Sequence, residues 1–149
     1  MRVFIIEDSK VVLDRLASML AEYPGVEIVG TSSGPQKGLR GAAEAKPDVM
    51  ILDIRLQGGT GWDVLKGLRL LPHRPLVIML TNFPSAFHRS KALAEGADFF
   101  LDKAQEFDKI LPILKDWAEG KIGPKRPPAR EGGARRDNPN PDRLSNTKE

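Results

Sequence analysis

The sequence predicts a doubly wound α/β fold, a five-stranded parallel sheet in the order 2-1-3-4-5 with helices on both faces. Three observations predict it. Strand-like and helix-like segments alternate five times over residues 1–118. Two of the strand-like segments, VMILDI (49–54) and LVIMLT (76–81), are almost continuously apolar, as strands buried on both faces are. The connections are short, and successive strand–helix units joined by right-handed crossovers build a parallel sheet covered on both sides. The order 2-1-3-4-5 is the common arrangement at this size, although periodicity does not itself fix it.

Each element has its own signal. The first strand, 2–7, is the apolar run RVFIIE. A helix over 10–22 places Val12, Leu16, Met19, Leu20 and Tyr23 on one face, with Asp14, Arg15 and Ser18 opposite. Pro24-Gly25 stops it. The second strand, 26–32, alternates more than the others and is placed nearer an edge. A helix over 35–45 ends at Lys46-Pro47, and the third strand covers 48–54. Gly58-Gly59-Thr60-Gly61 lacks the Lys-Ser/Thr of a phosphate-binding loop and reads as a flexible turn. The helix over 61–71 carries Trp62, Leu65 and Leu68 before Pro72. After the fourth strand, 75–81, a helix over 84–95 opens at Pro84, a residue favoured in the first turn, and ends at Gly96. Its apolar face (Phe87, Leu93, Ala94) is thin, which predicts the least firmly docked helix of the set. The fifth strand spans 97–101. A turn over 105–109 then leads to a helix from about Leu111, with Pro112 in its first turn. Trp62 and Trp117 read as partial core, and His73 and His88 as solvent-exposed.

Composition excludes several classes. The chain has 149 residues, 40% of them hydrophobic, which suits one domain with a tail. It has no cysteine, so disulfides, zinc–thiolate sites and thiol nucleophiles are ruled out. Met1-Arg2-Val3-Phe4-Ile5-Ile6 meets Glu7-Asp8 too soon for a signal peptide or a membrane span. A soluble, cytoplasmic protein with no membrane partner is the expectation. Residues 119–149 hold 8 basic and 5 acidic residues and so account for the whole net charge of +3. The division expected is therefore a domain over 1–118 and a Pro/Gly/Arg-rich basic tail over 119–149. That tail has too few large apolar residues to offset an ordering entropy of roughly 1–2 kcal/mol per residue, so disorder is expected there.

In open parallel sheets, ligands bind outside the carboxyl ends of the strands. Those ends carry Glu7-Asp8, Asp53, Thr81 and Lys103. Carboxylates crowded there repel by about 4 kcal/mol per pair at ~4 Å and an effective dielectric of roughly 20. A hard cation relieves that repulsion, and Mg²⁺ typically takes one or two carboxylates and engages a phosphate. Lys103 adds a positive charge for an anionic ligand. A carboxylate such as Asp53 serves as a nucleophile in acyl-phosphate chemistry, which otherwise needs mainly positioning and charge neutralisation.

These five residues at four strand ends resemble the receiver domain of bacterial two-component response regulators, over about 118 residues. The resemblance implies a flavodoxin-like (βα)5 fold and assigns roles. Asp53 is then the phosphoacceptor. Glu7, Asp8, Asp53 and the backbone carbonyl of Arg55 hold Mg²⁺. Thr81 bonds a phosphoryl oxygen and Lys103 pairs with the phosphate. Phe100 stands where the family keeps an aromatic switch residue; lacking a hydroxyl, it would switch by rotameric packing alone, alongside Thr81. Ala104 follows Lys103 where the family often has proline. The implied partners are a sensor histidine kinase or phosphotransfer protein and a downstream protein target. That target would be met on the face of the fourth helix, fifth strand and fifth helix, and a phosphorylation-dependent dimer is compatible with it.

The bland readings are a helix N-terminus at Glu7-Asp8, a turn at Asp53, a plain strand end at Thr81 and ordinary core at Phe100. Two other functions compete. One is a pseudo-receiver that binds partners without phosphorylation, against which the intact acid set stands. The other is a Mg²⁺-dependent aspartyl phosphatase of the haloacid-dehalogenase pattern, which needs a second Asp where Arg55 stands. The expectation is therefore a signalling receiver rather than an enzyme, catalysing only its own phosphoryl acceptance and slow loss. The 31 residues after 118 show no helical pattern for DNA binding, and nucleic acid is not an expected partner although any cationic segment has some affinity for it. A single-domain regulator, a relay or a phosphate sink all fit.

Overall fold

A computed structural model of the chain describes residues 1–124. The elements, in order, are β1 (Arg2–Ile6), α1 (Lys10–Ala21), β2 (Glu27–Ser32), α2 (Pro35–Ala45) and β3 (Val49–Leu52). A short hairpin, β4 (Arg55–Leu56) and β5 (Gly59–Thr60), comes next. Then follow α3 (Gly61–Leu68), β6 (Leu76–Thr81), α4 (Ala86–Ala94), β7 (Phe99–Asp102), a 3₁₀ turn (Phe107–Lys109) and α5 (Ile110–Ala118). The main sheet runs β2-β1-β3-β6-β7 with every pairing parallel. Counting only its own five strands, this is the predicted order 2-1-3-4-5.

Alternation along the strands divides the core into two layers. Val3, Ile5, Val49, Ile51, Ile78 and Leu80 face α1 and α5, meeting Leu16, Leu20, Ile110 and Leu114. Phe4, Ile6, Met50, Leu52, Val77 and Met79 face the other way, toward α2, α3 and α4. The two continuously apolar segments are therefore β3 and β6 at the sheet centre, buried at every position. The more alternating β2 is the edge strand, with Glu27 and Thr31 exposed.

Several boundaries differ from expectation for local reasons. Pro84 lies outside α4, because the Ser85 side chain caps the helix by accepting from the His88 N–H at 3.0 Å. In α4 only Ala92 is buried, while Phe87 is 70% exposed and Leu93 41%. The helix is weakly docked as predicted, but through Ala92 rather than the face expected. The helix predicted over 61–71 stops at Leu68, leaving Leu70 exposed. Neither histidine is simply exposed. Half-buried His73 lies with its Nε2 2.6 Å from the Pro47 carbonyl, and half-buried His88 with its Nδ1 2.9 Å from the Phe83 carbonyl.

Packing continues past α5, where Ile122 rests against the α1/α5 layer. The expected disordered tail falls mostly on 125–149, outside the described residues. No helix among the described residues is long and apolar enough to cross a membrane.

Candidate functional site

The carboxyl ends of the strands are tied together by backbone hydrogen bonds. The Asp53 N–H donates to the Ile6 carbonyl at 3.1 Å, which sets Asp53 beside Glu7 and Asp8. The Lys103 N–H donates to the Thr81 carbonyl at 2.9 Å, joining the ends of β6 and β7. Four of the residues singled out are almost fully buried: Glu7, Asp53, Thr81 and Lys103. Asp8 is exposed.

Lys103 is the centre of the cluster. Its Nζ donates to Asp53 Oδ2 at 2.7 Å and lies 2.9 Å from Glu7 Oε1. Asp53 Oδ1 accepts from the Ile54 N–H at 2.6 Å, and Glu7 Oε2 from the Ser9 N–H at 3.0 Å. Burial alone would lower the Lys103 pKa, yet its hydrogen bonds to Asp53 and Glu7 outweigh this and raise it. The ammonium is therefore held charged. At Glu7 burial dominates and raises the pKa; the Lys103 and Ser9 hydrogen bonds oppose it, and the Asp53 carboxylate adds to it.

Charge fits a divalent cation. One oxygen each from Glu7, Asp8 and Asp53 lie within 4.8 Å of one another. Three carboxylates face one ammonium, so a hard dication would complete the neutralisation with oxygen donors it prefers. These three residues would hold it; the buried Glu7 and Asp53 are both already paired with Lys103, and the exposed Asp8 is not.

The remaining residues singled out lie on the neighbouring strands and loops. The Thr81 Oγ1 accepts from the Phe83 N–H at 3.0 Å, which fixes its oxygen at the end of β6. Phe100 is buried in the layer beneath α4, and Arg89 reaches over it to donate to the Phe100 carbonyl at 3.1 Å. Arg55 stands on β4, with its guanidinium carbon 3.9 Å from the centroid of the Phe83 ring. All peptide bonds of the described residues are trans, including the one before Ala104.

Sequence reasoning missed the parts played by four residues here. A Cβ on Gly61 would lie 2.2 Å from the Asp53 carbonyl oxygen, and the Gly61 N–H donates to the Ile54 carbonyl at 2.7 Å. Gly61 therefore lets α3 start against the backbone of Asp53, and the glycine-rich run is a β-hairpin and a helix start rather than a flexible turn. Thr60 and Asp63 form a capping box at that start, a Thr-x-x-Asp pattern readable in the sequence. Asp98 is also buried, accepting from the Val77 N–H at 2.8 Å with Arg74 3.9 Å away. It lies at the amino end of β7, on the side of the sheet away from the cluster, and supports the fold.

Strand-end carboxylates with a buried lysine and a threonine, on a doubly wound parallel sheet, are the arrangement expected of a response regulator receiver domain. The sequence profile of the response regulator receiver domain matches residues 3–115, and the chain belongs to that family. It is 33% identical over 137 residues to protein-glutamate methylesterase/protein-glutamine glutaminase 1 of Carboxydothermus hydrogenoformans, covering 89% of this chain and 39% of the relative. It is 29% identical over 119 residues to the transcriptional regulatory protein LiaR of Bacillus subtilis, covering 80% of this chain and 56% of the relative. The chain thus spans well under two thirds of these curated relatives. Among solved structures it resembles the receiver domain of NarL from Mycobacterium tuberculosis, with TM-score 0.73, 25% identity, and 80% and 96% of the two chains covered. It is a receiver domain of the two-component response-regulator type. Such domains generally bind Mg²⁺ and meet histidine kinases or phosphotransfer proteins and downstream targets.

Proposed function

We propose that the chain accepts a phosphoryl group on Asp53 from the phosphohistidine of a sensor histidine kinase or phosphotransfer protein. The observation that carries this is the buried Asp53 carboxylate, held by Lys103 inside an acidic cluster at the carboxyl end of the sheet. An Asp53 oxygen attacks phosphorus as the P–N bond to the donor imidazole breaks. The imidazole leaves with the electron pair and is protonated. In this reading Lys103 meets the incoming charge on phosphorus, and the Thr81 hydroxyl donates to a phosphoryl oxygen. Glu7, Asp8, Asp53 and the Arg55 carbonyl would hold Mg²⁺, which would supply charge neutralisation for the transfer.

The domain turns over no separate metabolite; its chemistry is its own phosphorylation and slow hydrolysis. Its output is a protein contact on α4, β7 and α5. A groove of about 490 Å³ lies there, with Leu93, Phe99 and Ile113 apolar and Arg89, Glu106 and Asp116 charged. Intact mass after incubation with acetyl phosphate and Mg²⁺ tests the reading. A Mg²⁺-dependent, phosphate-sized gain is expected in the wild type and not in Asp53→Asn. An equal gain in the variant would remove Asp53 from the role.

A further inference from the structure

Two loops flank Asp53 and Thr81, and one pair of side chains bridges them. β3 and β6 are neighbours in register, Leu52 opposite Met79. Arg55 lies two residues beyond Asp53, and Phe83 two beyond Thr81. The Arg55 guanidinium carbon sits 3.9 Å above the Phe83 ring, Arg55 is exposed and Phe83 is 39% exposed. Among the described residues Arg55 makes no ion pair, so its charge is spent on this ring alone.

The same Phe83 is wired in both directions through its backbone. Its N–H donates to Thr81 Oγ1 at 3.0 Å, and its carbonyl lies 2.9 Å from the His88 Nδ1 on the first turn of α4. The His88 ring in turn sits 5.9 Å from Trp62 and 5.8 Å from Phe87.

Building on the phosphoacceptor reading of Asp53, we propose that Arg55 is a phosphoryl-group ligand held in reserve on Phe83. While Asp53 is unmodified the guanidinium rests on the ring; once a phosphoryl group arrives it moves to the phosphoryl oxygens, and the freed Phe83 loosens the start of α4. Charge favours the exchange. A phosphoryl group brings roughly −1.5 to −2 charge, and Lys103 is already shared between Asp53 and Glu7. A guanidinium both stacks on aromatic faces and binds phosphate through a planar fork. An exposed cation–π contact is worth about two- to fivefold in an equilibrium. A hydrogen bond to a charged group is worth roughly ten- to a hundredfold, so the phosphoryl oxygens win. This role belongs to the Arg55 side chain and is separate from its backbone carbonyl.

Beryllofluoride with Mg²⁺ is the probe, titrated calorimetrically into the full chain and its variants, with Trp62 emission followed in a Trp117→Phe background. Arg55→Ala is expected to weaken binding by about two- to fiftyfold, the phosphoryl contact divided by the ring contact given up for it, and to abolish the Trp62 change at saturation. Arg55→Lys, which keeps the charge and loses the fork, falls between. Phe83→Leu removes the competing ring and is expected to tighten binding about two- to fivefold. Arg55→Ala/Phe83→Leu should then bind like Arg55→Ala alone. Wild-type affinity in Arg55→Ala, or unchanged affinity in Phe83→Leu, would overturn the exchange while leaving the phosphoacceptor reading intact. If beryllofluoride fails to bind the wild type at all, both fall.

Discussion

Glu7 and Lys103 share one buried contact, yet their proton equilibria bear on function differently. Lys103 stays charged because its hydrogen bonds to Asp53 and Glu7 outweigh its burial. Glu7 is raised above the ordinary carboxylate range, chiefly by burial. A raised carboxyl means the folded state holds the proton more tightly than the unfolded chain. Its contribution to stability is present below the ordinary range and is lost as pH rises through the raised value. Mg²⁺ binding runs the other way, since only the ionised carboxylate attracts the cation. Mg²⁺ affinity should therefore fall as pH drops from neutral through the raised value, before ordinary carboxylates titrate. Glu7→Gln should bind Mg²⁺ more weakly and without that step. Mg²⁺ titrations from mildly acid to neutral pH check this, and an unchanged profile in Glu7→Gln would remove Glu7 from the metal site. At this scale the sequence was legible where chemistry alone speaks. Glu7, Asp8, Asp53 and Lys103 stand out at the strand ends by charge and chemistry, and in the structure they lie together. What was not legible needs tertiary distances: the half-buried settings of His73 and His88, the burial of Asp98, and the stacking of Arg55 on Phe83.

At the level of elements, the long apolar strands and α1 could be read directly, because burial on both faces or on one stripe leaves a period in the sequence. The β4–β5 hairpin could not, since two-residue strands have no period. Its turn is set by Gly58 at φ +81°, and it is tied back by the Gln57 N–H donating to the Ser33 carbonyl at 2.9 Å. The thin face of α4 predicted weak docking, but which residue docks depended on where Ser85 capped the helix. The glycine run before α3 is the element on which the site depends most. Because a Cβ at Gly61 would collide with the Asp53 backbone and touch Met79, Gly61→Ala should cost about 1–3 kcal/mol as an overpacking change. It should also slow phosphorylation by displacing Asp53. Denaturant unfolding beside the acetyl phosphate reaction measures both, and wild-type values in both would show that the loop yields freely.

For the fold as a whole, two apolar layers hold the main sheet, and the cluster of Glu7, Asp8, Asp53 and Lys103 lies at one end of it. That separation lets the core remain rigid while the loops around Asp53 change charge. β6 is buried throughout and ends in Thr81, whereas α4 beside it buries a single alanine. A charge change at the site therefore meets a firm strand and a loosely held helix, and the helix is the part free to move. The central claim is that Asp53 carries the phosphoryl group. Its most direct test is borohydride trapping after reaction with acetyl phosphate and Mg²⁺, which reduces an aspartyl phosphate to homoserine, followed by peptide sequencing in a mass spectrometer. Homoserine at position 53 and at no other acid is the result predicted. Homoserine at position 8 instead, or a phosphorylated chain with an unreduced Asp53, would contradict it.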